Sequence, residues 1–286
     1  MTGHPALQAG RTAVITGAAD GIGLAAALRC ASLGMNVVLA DLAGAKLDHA
    51  AERVGIAASD DAGVESMATD VSEALQVEAL RDLALDRFGD VALLVNNAGV
   101  GGGGHAFEKP DRWARILAVN LAGVINGVQA FTQAMVDQDR PALIVNTGSK
   151  QGVTTPPGDT AYNVSKAGVK VLTEGLQHTL RGTAGCKVTA HLLIPGFTFT
   201  GLTRARVSEK PPGAWTADQV ITFLFQGLAA GDFYILCPDN ETTRAMDNAR
   251  MTWAAGDIIE NRPPLSRWHP DYKDAFAAFL AASPAD

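Results

Sequence analysis

Short runs of Val, Leu, Ile and Ala recur along the first two-thirds of the chain, each followed by a longer stretch in which apolar residues return every three or four positions. The short runs predict strands at 12–16, 36–40, 64–68, 91–95, 143–147 and 188–194. Four of them alternate little with polar residues, as strands buried on both faces of a parallel sheet do. The longer stretches predict helices at 21–33, 45–54, 73–87, 111–136 and 161–180. Strands and helices taken in turn imply an α/β doubly wound parallel sheet with right-handed crossovers, whose ligands bind at the carboxyl ends of the strands. After Pro195 the pattern loosens. Residues 197–212 read as a loop or short helix, 216–230 as a helix with Thr216 as N-cap, and 233–237 as a last strand. The remainder holds Pro263-Pro264, Trp268-His269-Pro270 and a short helix around 272–282. No repeat or linker divides the chain, so residues 1–286 are expected to form a single domain, with an N-terminal extension at 1–10 and a C-terminal one at 238–286.

Composition narrows the partners. The 286 residues are 47% apolar and 19% charged, with a net charge of −7. That balance supports a sizeable core and offers no basic footprint, so neither nucleic acid nor a membrane surface is expected. Cys30, Cys186 and Cys237 are far apart, and His49, His178, His191 and His269 show no ligand spacing. No disulfide framework and no metal site are therefore expected. His105, in a glycine-rich loop, reads as solvated. Residues 1–10 lack a leader's basic and apolar regions and no uninterrupted apolar run reaches 18 residues, so the expected location is cytoplasmic.

Directly after the first strand stands Thr16-Gly17-Ala18-Ala19-Asp20-Gly21-Ile22-Gly23, opening into a helix. Glycines there let the backbone turn sharply and approach a pyrophosphate, whose charge the N–H groups and positive dipole of a helix N-terminus stabilise. The spacing is G-x-x-x-G-x-G in place of G-x-G-x-x-G, and tight packing alone also explains it. The next strand ends at Asp41, placed to accept from adenosine ribose hydroxyls and to repel a 2′-phosphate. With Asp20 adding a second negative charge, the expected cofactor is NAD. Asp70-Val71 and Asn96-Asn97-Ala98-Gly99 follow the third and fourth strands along the same edge. Asp70 suits an adenine amino group and the Val71 N–H the ring, although either run also forms a turn by itself.

Tyr162 and Lys166, four apart near the start of a helix, share one face. A phenol with pKa near 10 is a poor base at neutral pH. An ammonium about 4 Å away, at an effective dielectric near 20, favours the phenolate by roughly 4 kcal/mol. Ser149, at the end of the fifth strand, can hold a substrate oxygen near that phenol. Asn120 interrupts the apolar stripe of the helix at 111–136, and a buried amide there needs partners, either a water or a backbone carbonyl.

Together with Pro195-Gly196-Phe197-Thr198-Phe199-Thr200, these motifs resemble a single-domain short-chain dehydrogenase/reductase from about Arg11 to Thr200. The resemblance implies a Rossmann-type fold and an enzyme that interconverts a secondary alcohol and a ketone. It implies Tyr162 as the proton-transferring group, Lys166 as its pKa modulator and ribose contact, and Ser149 as the substrate-orienting hydroxyl. Asn120 would hold a relay water, and Thr200 would meet the nicotinamide carboxamide. Cofactor contacts are expected at Gly17, Asp20, Gly21, Ile22, Gly23, Asp41, Asp70, Val71, Asn97, Ala98, Gly99, Tyr162, Lys166, Pro195, Gly196, Thr198 and Thr200. A homotetramer or homodimer is implied, through the helices holding Asn120 and Tyr162. Gly148, Lys150 and the run Gly101-Gly102-Gly103-Gly104 depart from the usual pattern near the substrate mouth.

An apolar, medium-to-bulky substrate is expected from Val153, Pro156, Pro157, Phe197, Phe199, Leu202 and Trp215, with Gln151 selecting orientation. A dinucleotide-sensing regulator without chemistry is the alternative, which intact Ser149, Tyr162 and Lys166 oppose. A sugar-nucleotide epimerase would need more chain after Thr200.

Overall fold

The computed structural model describes residues 4–204 and 209–283, with the side chains of Leu202 and Arg204 excepted. The strands are β1 (Thr12–Thr16), β2 (Asn36–Asp41), β3 (Val64–Ala68), β4 (Leu93–Asn96), β5 (Ala142–Thr147), β6 (Val188–Ile194), β7 (Thr198–Phe199), β8 (Trp215–Thr216) and β9 (Tyr234–Leu236). Seven form one parallel sheet in the order β3-β2-β1-β4-β5-β6-β9, and β7 pairs with β8 separately. The order reverses direction between β1 and β4, a switch point that leaves a crevice at the strands' carboxyl ends.

Alternate residues of each strand feed opposite layers, as a two-residue period requires. Ala13, Ile15, Val37, Leu39, Leu93, Val95, Leu143 and Val145 pack with Leu24, Leu47 and Leu224. These last three belong to α1 (Gly21–Ser32), α2 (Ala45–Ala57) and α9 (Ala217–Ala230). Val14, Val38, Leu94 and Ile144 pack on the other face with Leu80, Phe131 and Leu180. These come from α3 (Ala74–Phe88), α5 (Gly123–Asp137) and α7 (Thr160–Gly182). The central strands β1, β4 and β5 are buried at every position, whereas edge strand β3 is not.

The helix expected at 111–136 is divided. It runs as α4 (Pro110–Leu117), a π turn (Ala118–Ala122) and α5. The stretch Pro110–Asp137 is long and apolar enough to cross a membrane by length and composition, but 44% of its most apolar window is buried inside the protein. The strand expected at 91–95 starts at Leu93 and extends to Asn96, and the one expected at 233–237 spans Tyr234–Leu236. Two one-turn helices, α6 (Gln151–Thr154) and α8 (Gly201–Arg204), follow Ser149 and Thr200.

The C-terminal segment is more ordered than its sequence suggests. It contains α10 (Arg244–Ile259) and α11 (Lys273–Ala282). Thr243 caps α10 by accepting from the Met246 N–H at 3.3 Å. The buried positions of α10 are Asp247, Ala249, Trp253 and Gly256, so its inward face carries no aliphatic stripe to betray it. Trp253 instead anchors a small cluster. Phe276 and Phe279 lie with ring centroids 5.2 Å away, and its indole N–H donates to Ser266 Oγ at 2.8 Å.

Candidate active site

A cleft of about 1110 Å³ opens along the carboxyl edge of β1, β2, β3, β4, β5 and β6. Its cofactor-side wall includes Gly17, Asp20, Gly21, Ile22, Asp41, Asp70, Val71, Asn97, Ala98 and Gly99. Its other end is lined by Ser149, Gln151, Tyr162, Lys166, Pro195, Gly196, Phe197, Thr198 and Thr200. Residues predicted from six separate strand ends, β3 included through Asp70 and Val71, thus converge on one crevice.

The glycine turn is a cradle that side chains would fill. Gly17 has φ +64°, and a Cβ there would lie 2.8 Å from Ala98 Cα. Gly23 does not line the cleft; a Cβ there would meet the Gly17 carbonyl oxygen at 2.2 Å, so its role is to let α1 approach the turn. Asn97 fastens the cradle by donating from Nδ2 to the Thr16 carbonyl at 3.1 Å. An extended pyrophosphate fits this open, N–H-lined helix start.

Asp41 accepts from the Ala19 N–H at 2.9 Å and the Leu42 N–H at 2.8 Å, which fixes its carboxylate at the cleft. Asp20 lines the cleft as expected and also has a local part. Its carboxylate accepts from Gly21 N–H at 2.6 Å as the N-cap of α1 and packs against Gly201. Both carboxylates therefore stand on the cofactor-side wall. Asp70 Oδ1 accepts from both the Ser72 N–H and hydroxyl, closing a turn beside Val71. Two cations on the wall, Lys46 and Arg115, were not singled out by the sequence reading. Lys46 lies in the first turn of α2, five residues past Asp41, and only the fold shows that this turn faces the cleft.

At the reacting end, Lys166 is buried and donates to the Thr147 carbonyl at 2.8 Å. Its ammonium lies 5.7 Å from the Tyr162 ring centroid. Burial pulls its pKa down to about 8, because the charged form loses water. Ser149 Oγ accepts from the Gln151 N–H at 3.1 Å, so its own proton is left to donate towards a substrate oxygen. Beneath the site a buried polar ladder ties β4, β5 and α7 together. Asn96 Nδ2 donates to Asn146 Oδ1 at 2.9 Å, and Asn146 Nδ2 to Thr173 Oγ1 at 3.0 Å.

Asn120 stands behind the cleft wall. In the π turn its Oδ1 accepts from the Val100 N–H at 2.7 Å, and its Nδ2 donates to the Val100 carbonyl at 2.8 Å. The buried amide has therefore found backbone partners, and its effect is to pin the loop after Gly99. Val153 also departs from expectation: it packs with Leu236 and Met251 beneath α6, facing a second cavity and not the cleft. Trp215 stacks edge-on against Phe223 at 5.9 Å, and Phe199 pairs with Thr216 in the β7–β8 ribbon. Neither lines the cleft, nor do Pro156 and Pro157. The Leu202 side chain lies outside the described residues.

Asp159 is the site residue that the sequence reading missed. It accepts from the N–H groups of Gly102 and Gly103 at 3.0 Å each and of Tyr162 at 3.3 Å. One carboxylate thereby joins the glycine run to the first turn of the helix that carries Tyr162. The signal available was Asp three residues before Tyr162, the spacing of an N-cap.

A glycine-cradled anion site at the switch point of a doubly wound sheet, continuous with a Ser/Tyr/Lys cluster, defines a dinucleotide-binding oxidoreductase. The profile described as short chain dehydrogenase matches residues 11–211, and the chain belongs to the short-chain dehydrogenase/reductase family, enzymes acting on CH–OH groups. It is similar to 1-deoxy-11-beta-hydroxypentalenate dehydrogenase of Streptomyces exfoliatus, 30% identical over 264 residues, which cover 90% of this chain and 94% of that one. A short-chain dehydrogenase/reductase from Burkholderia phymatum, solved in complex with NAD, superposes with a TM-score of 0.80. It is 38% identical, with 90% of this chain and 96% of that one covered. A metagenomic short-chain oxidoreductase solved with NADP gives a TM-score of 0.66 at 30% identity, covering 81% of this chain and 98% of that one.

Proposed function

We propose that this protein is an NAD(H)-dependent oxidoreductase that interconverts a secondary alcohol and a ketone on an apolar, medium-to-bulky substrate. The observation that carries the chemistry is the convergence of Ser149, Tyr162 and Lys166 on the cleft that the glycine cradle opens. A nicotinamide dinucleotide, when bound, supplies hydride transfer; the protein supplies placement, electrostatics and the proton. Gly17, Gly21 and Ile22 would hold the pyrophosphate, Asp41 the adenosine ribose, and Asp70, Val71, Asn97, Ala98 and Gly99 the adenosine side. Pro195, Gly196, Thr198 and Thr200 would border the nicotinamide, Asp20 would stand beside the pyrophosphate, and Gly23 would shape the cradle from behind.

The preference for NAD rests on the Asp41 carboxylate, which two backbone N–H groups prevent from swinging aside for a phosphate. In alcohol oxidation, Ser149 donates to the substrate oxygen and Tyr162 accepts the hydroxyl proton. Lys166 stabilises the phenolate across the face of the helix and would hold the nicotinamide ribose of a bound cofactor. In ketone reduction the same proton returns from Tyr162. Asn120 contributes by fixing Val100, and through it the loop roofing Lys166. Phe197 and Val100 supply apolar contact, and Gln151 selects orientation.

A homotetramer or homodimer is supported by exposed Val164 and Val171 on α7. A cytoplasmic location is in keeping with three free cysteines. The test of the reading is a panel of secondary alcohols and ketones graded in bulk and charge, assayed by nicotinamide absorbance with NAD and NADP. Better turnover with NADP, or with small polyols and phosphorylated sugars, overturns the corresponding part.

A further inference from the structure

We propose that Lys150, Asp239 and Asp247 form a positioning clamp that makes the C-terminal helices part of the reacting end of the site. This rests on the oxidoreductase reading for its kinetic consequence, though not for its mechanical one. Lys150 follows Ser149 directly, at a position where the sequence departs from the family pattern. Its ammonium is carried to the C-terminal segment, 2.6 Å from Asp247 Oδ2 in α10 and 3.3 Å from Asp239 Oδ2 in the turn after β9. The three side chains are only 17%, 7% and 11% exposed, so the charges are largely shielded from solvent.

Each end of this triad is fixed by further contacts. The Lys150 N–H donates to the Pro195 carbonyl at 3.2 Å, and its carbonyl accepts from the Thr154 N–H at 3.0 Å. The residue thus bonds the nicotinamide-side loop and starts the α6 turn that carries Gln151. A Cβ on Gly196 would lie 2.8 Å from Asp239 Oδ2 and 3.1 Å from the Lys150 ammonium, so the clamp also packs under that loop. Asp239 is held by its own turn, accepting from the Glu241 N–H at 3.2 Å. Asp247 has a second cation, Arg250, at 3.9 Å. Val153 of α6 meets Met251 of α10 in a shared apolar cluster. Thus Ser149, Pro195-Gly196 and α10 meet at one side chain.

Two carboxylates from outside the catalytic core would not be needed to balance a lysine in open solvent. Their convergence on the residue after Ser149 gives the clamp a consequence: it sets the placement of the Ser149 hydroxyl and of the Pro195-Gly196 edge relative to Tyr162. Lys150 lines the cleft, and it is a positioning residue because its ammonium is held by Asp247 and Asp239. Displacing a positioned group by about 1 Å commonly costs up to about 100-fold in rate.

The experiment compares full-length Lys150→Met, Lys150→Arg and the double variant Lys150→Met/Asp247→Asn, which leaves no unpaired lysine charge and one fewer carboxylate. Backbone amide exchange is followed over 148–155, 195–200 and 239–259. Kinetics are measured on the best alcohol from the panel. The expected result is faster exchange in all three segments of both Met variants and a fall in kcat of about 10- to 100-fold. NAD affinity should fall by less than kcat does, because the Pro195-Gly196 edge shifts while the glycine cradle and Asp41 lie on other strands. Lys150→Arg should restore both readouts. Faster exchange confined to 239–259, or kcat unchanged while only the melting temperature falls, overturns the clamp. If the parent turns over no alcohol or ketone, the oxidoreductase reading fails, and the exchange pattern still decides the coupling.

Discussion

Replacing Lys166 by Met should stabilise the folded protein while abolishing its activity. The ammonium is buried, and burial holds its pKa at about 8 in place of the ordinary 10.5. Keeping it charged in the folded state at pH 7 therefore costs about 3 kcal/mol. Met fills nearly the same volume without that cost, but it gives up the hydrogen bond to the Thr147 carbonyl, worth about 1 kcal/mol net. The balance is about 2 kcal/mol in favour of Met, or roughly 3 °C in Tm for a chain of this size. The sign follows from proton binding. Between the folded pKa and the unfolded one, the unfolded chain binds more protons, so the parent gains stability as pH rises. The advantage of Met should therefore be largest below pH 8, shrink by about 1 kcal/mol near pH 9, and vanish near pH 10. Thermal melts of the cofactor-free proteins across this range read it directly. A lower Tm for Lys166→Met at pH 7, or a difference that does not change with pH, would refute the reasoning.

Other expectations follow from the same geometry. Asp41→Ala should shift preference from NAD towards NADP by about tenfold or more in kcat/KM, since a carboxylate is removed while Lys46 stays on the wall; unchanged selectivity in the two-cofactor assay would contradict it. Asn120→Ala should lower stability by about 2–4 kcal/mol, because it strands both the N–H and the carbonyl of Val100; a denaturant midpoint equal to the parent's would show that those bonds are replaceable. The kcat/KM for alcohol oxidation should pass through a maximum, rising as the phenolate that accepts the hydroxyl proton forms and falling once Lys166, whose pKa burial pulls down to about 8, loses its charge; a profile that climbs steadily through the alkaline range would contradict this.

The features legible in the sequence are those with a local signature. Five of the six strands through β6 carry dense aliphatic runs, β3 being the exception, and the glycine turn, Asp41, Ser149 and the Tyr162/Lys166 pair each sit at a strand end or in the first turns of a helix. A doubly wound topology then gathers them without further information. The rest depended on tertiary partners. Asn120 was visible as an anomaly, but only the folded chain shows that Val100 satisfies it from a segment 20 residues away. Val153 and Trp215 are apolar near the predicted mouth, and packing against Met251 and Phe223 turns these half-buried side chains away from the cleft. Helix α10 escaped because its buried face is Asp247, Ala249, Trp253 and Gly256, whose polarity and small size conceal the helical period. Asp247 is buried there because Lys150 meets it, a pairing across 97 positions that no local pattern encodes.

The central claim is that Tyr162 moves the proton while other residues hold the cofactor. It is tested most directly by Tyr162→Phe, which preserves ring volume and removes only the hydroxyl. NAD binding by titration and turnover of the best secondary alcohol should be measured on the same preparation. The account predicts NAD affinity close to the parent's and a loss of turnover of about 10² or more; turnover equal to the parent's would contradict it.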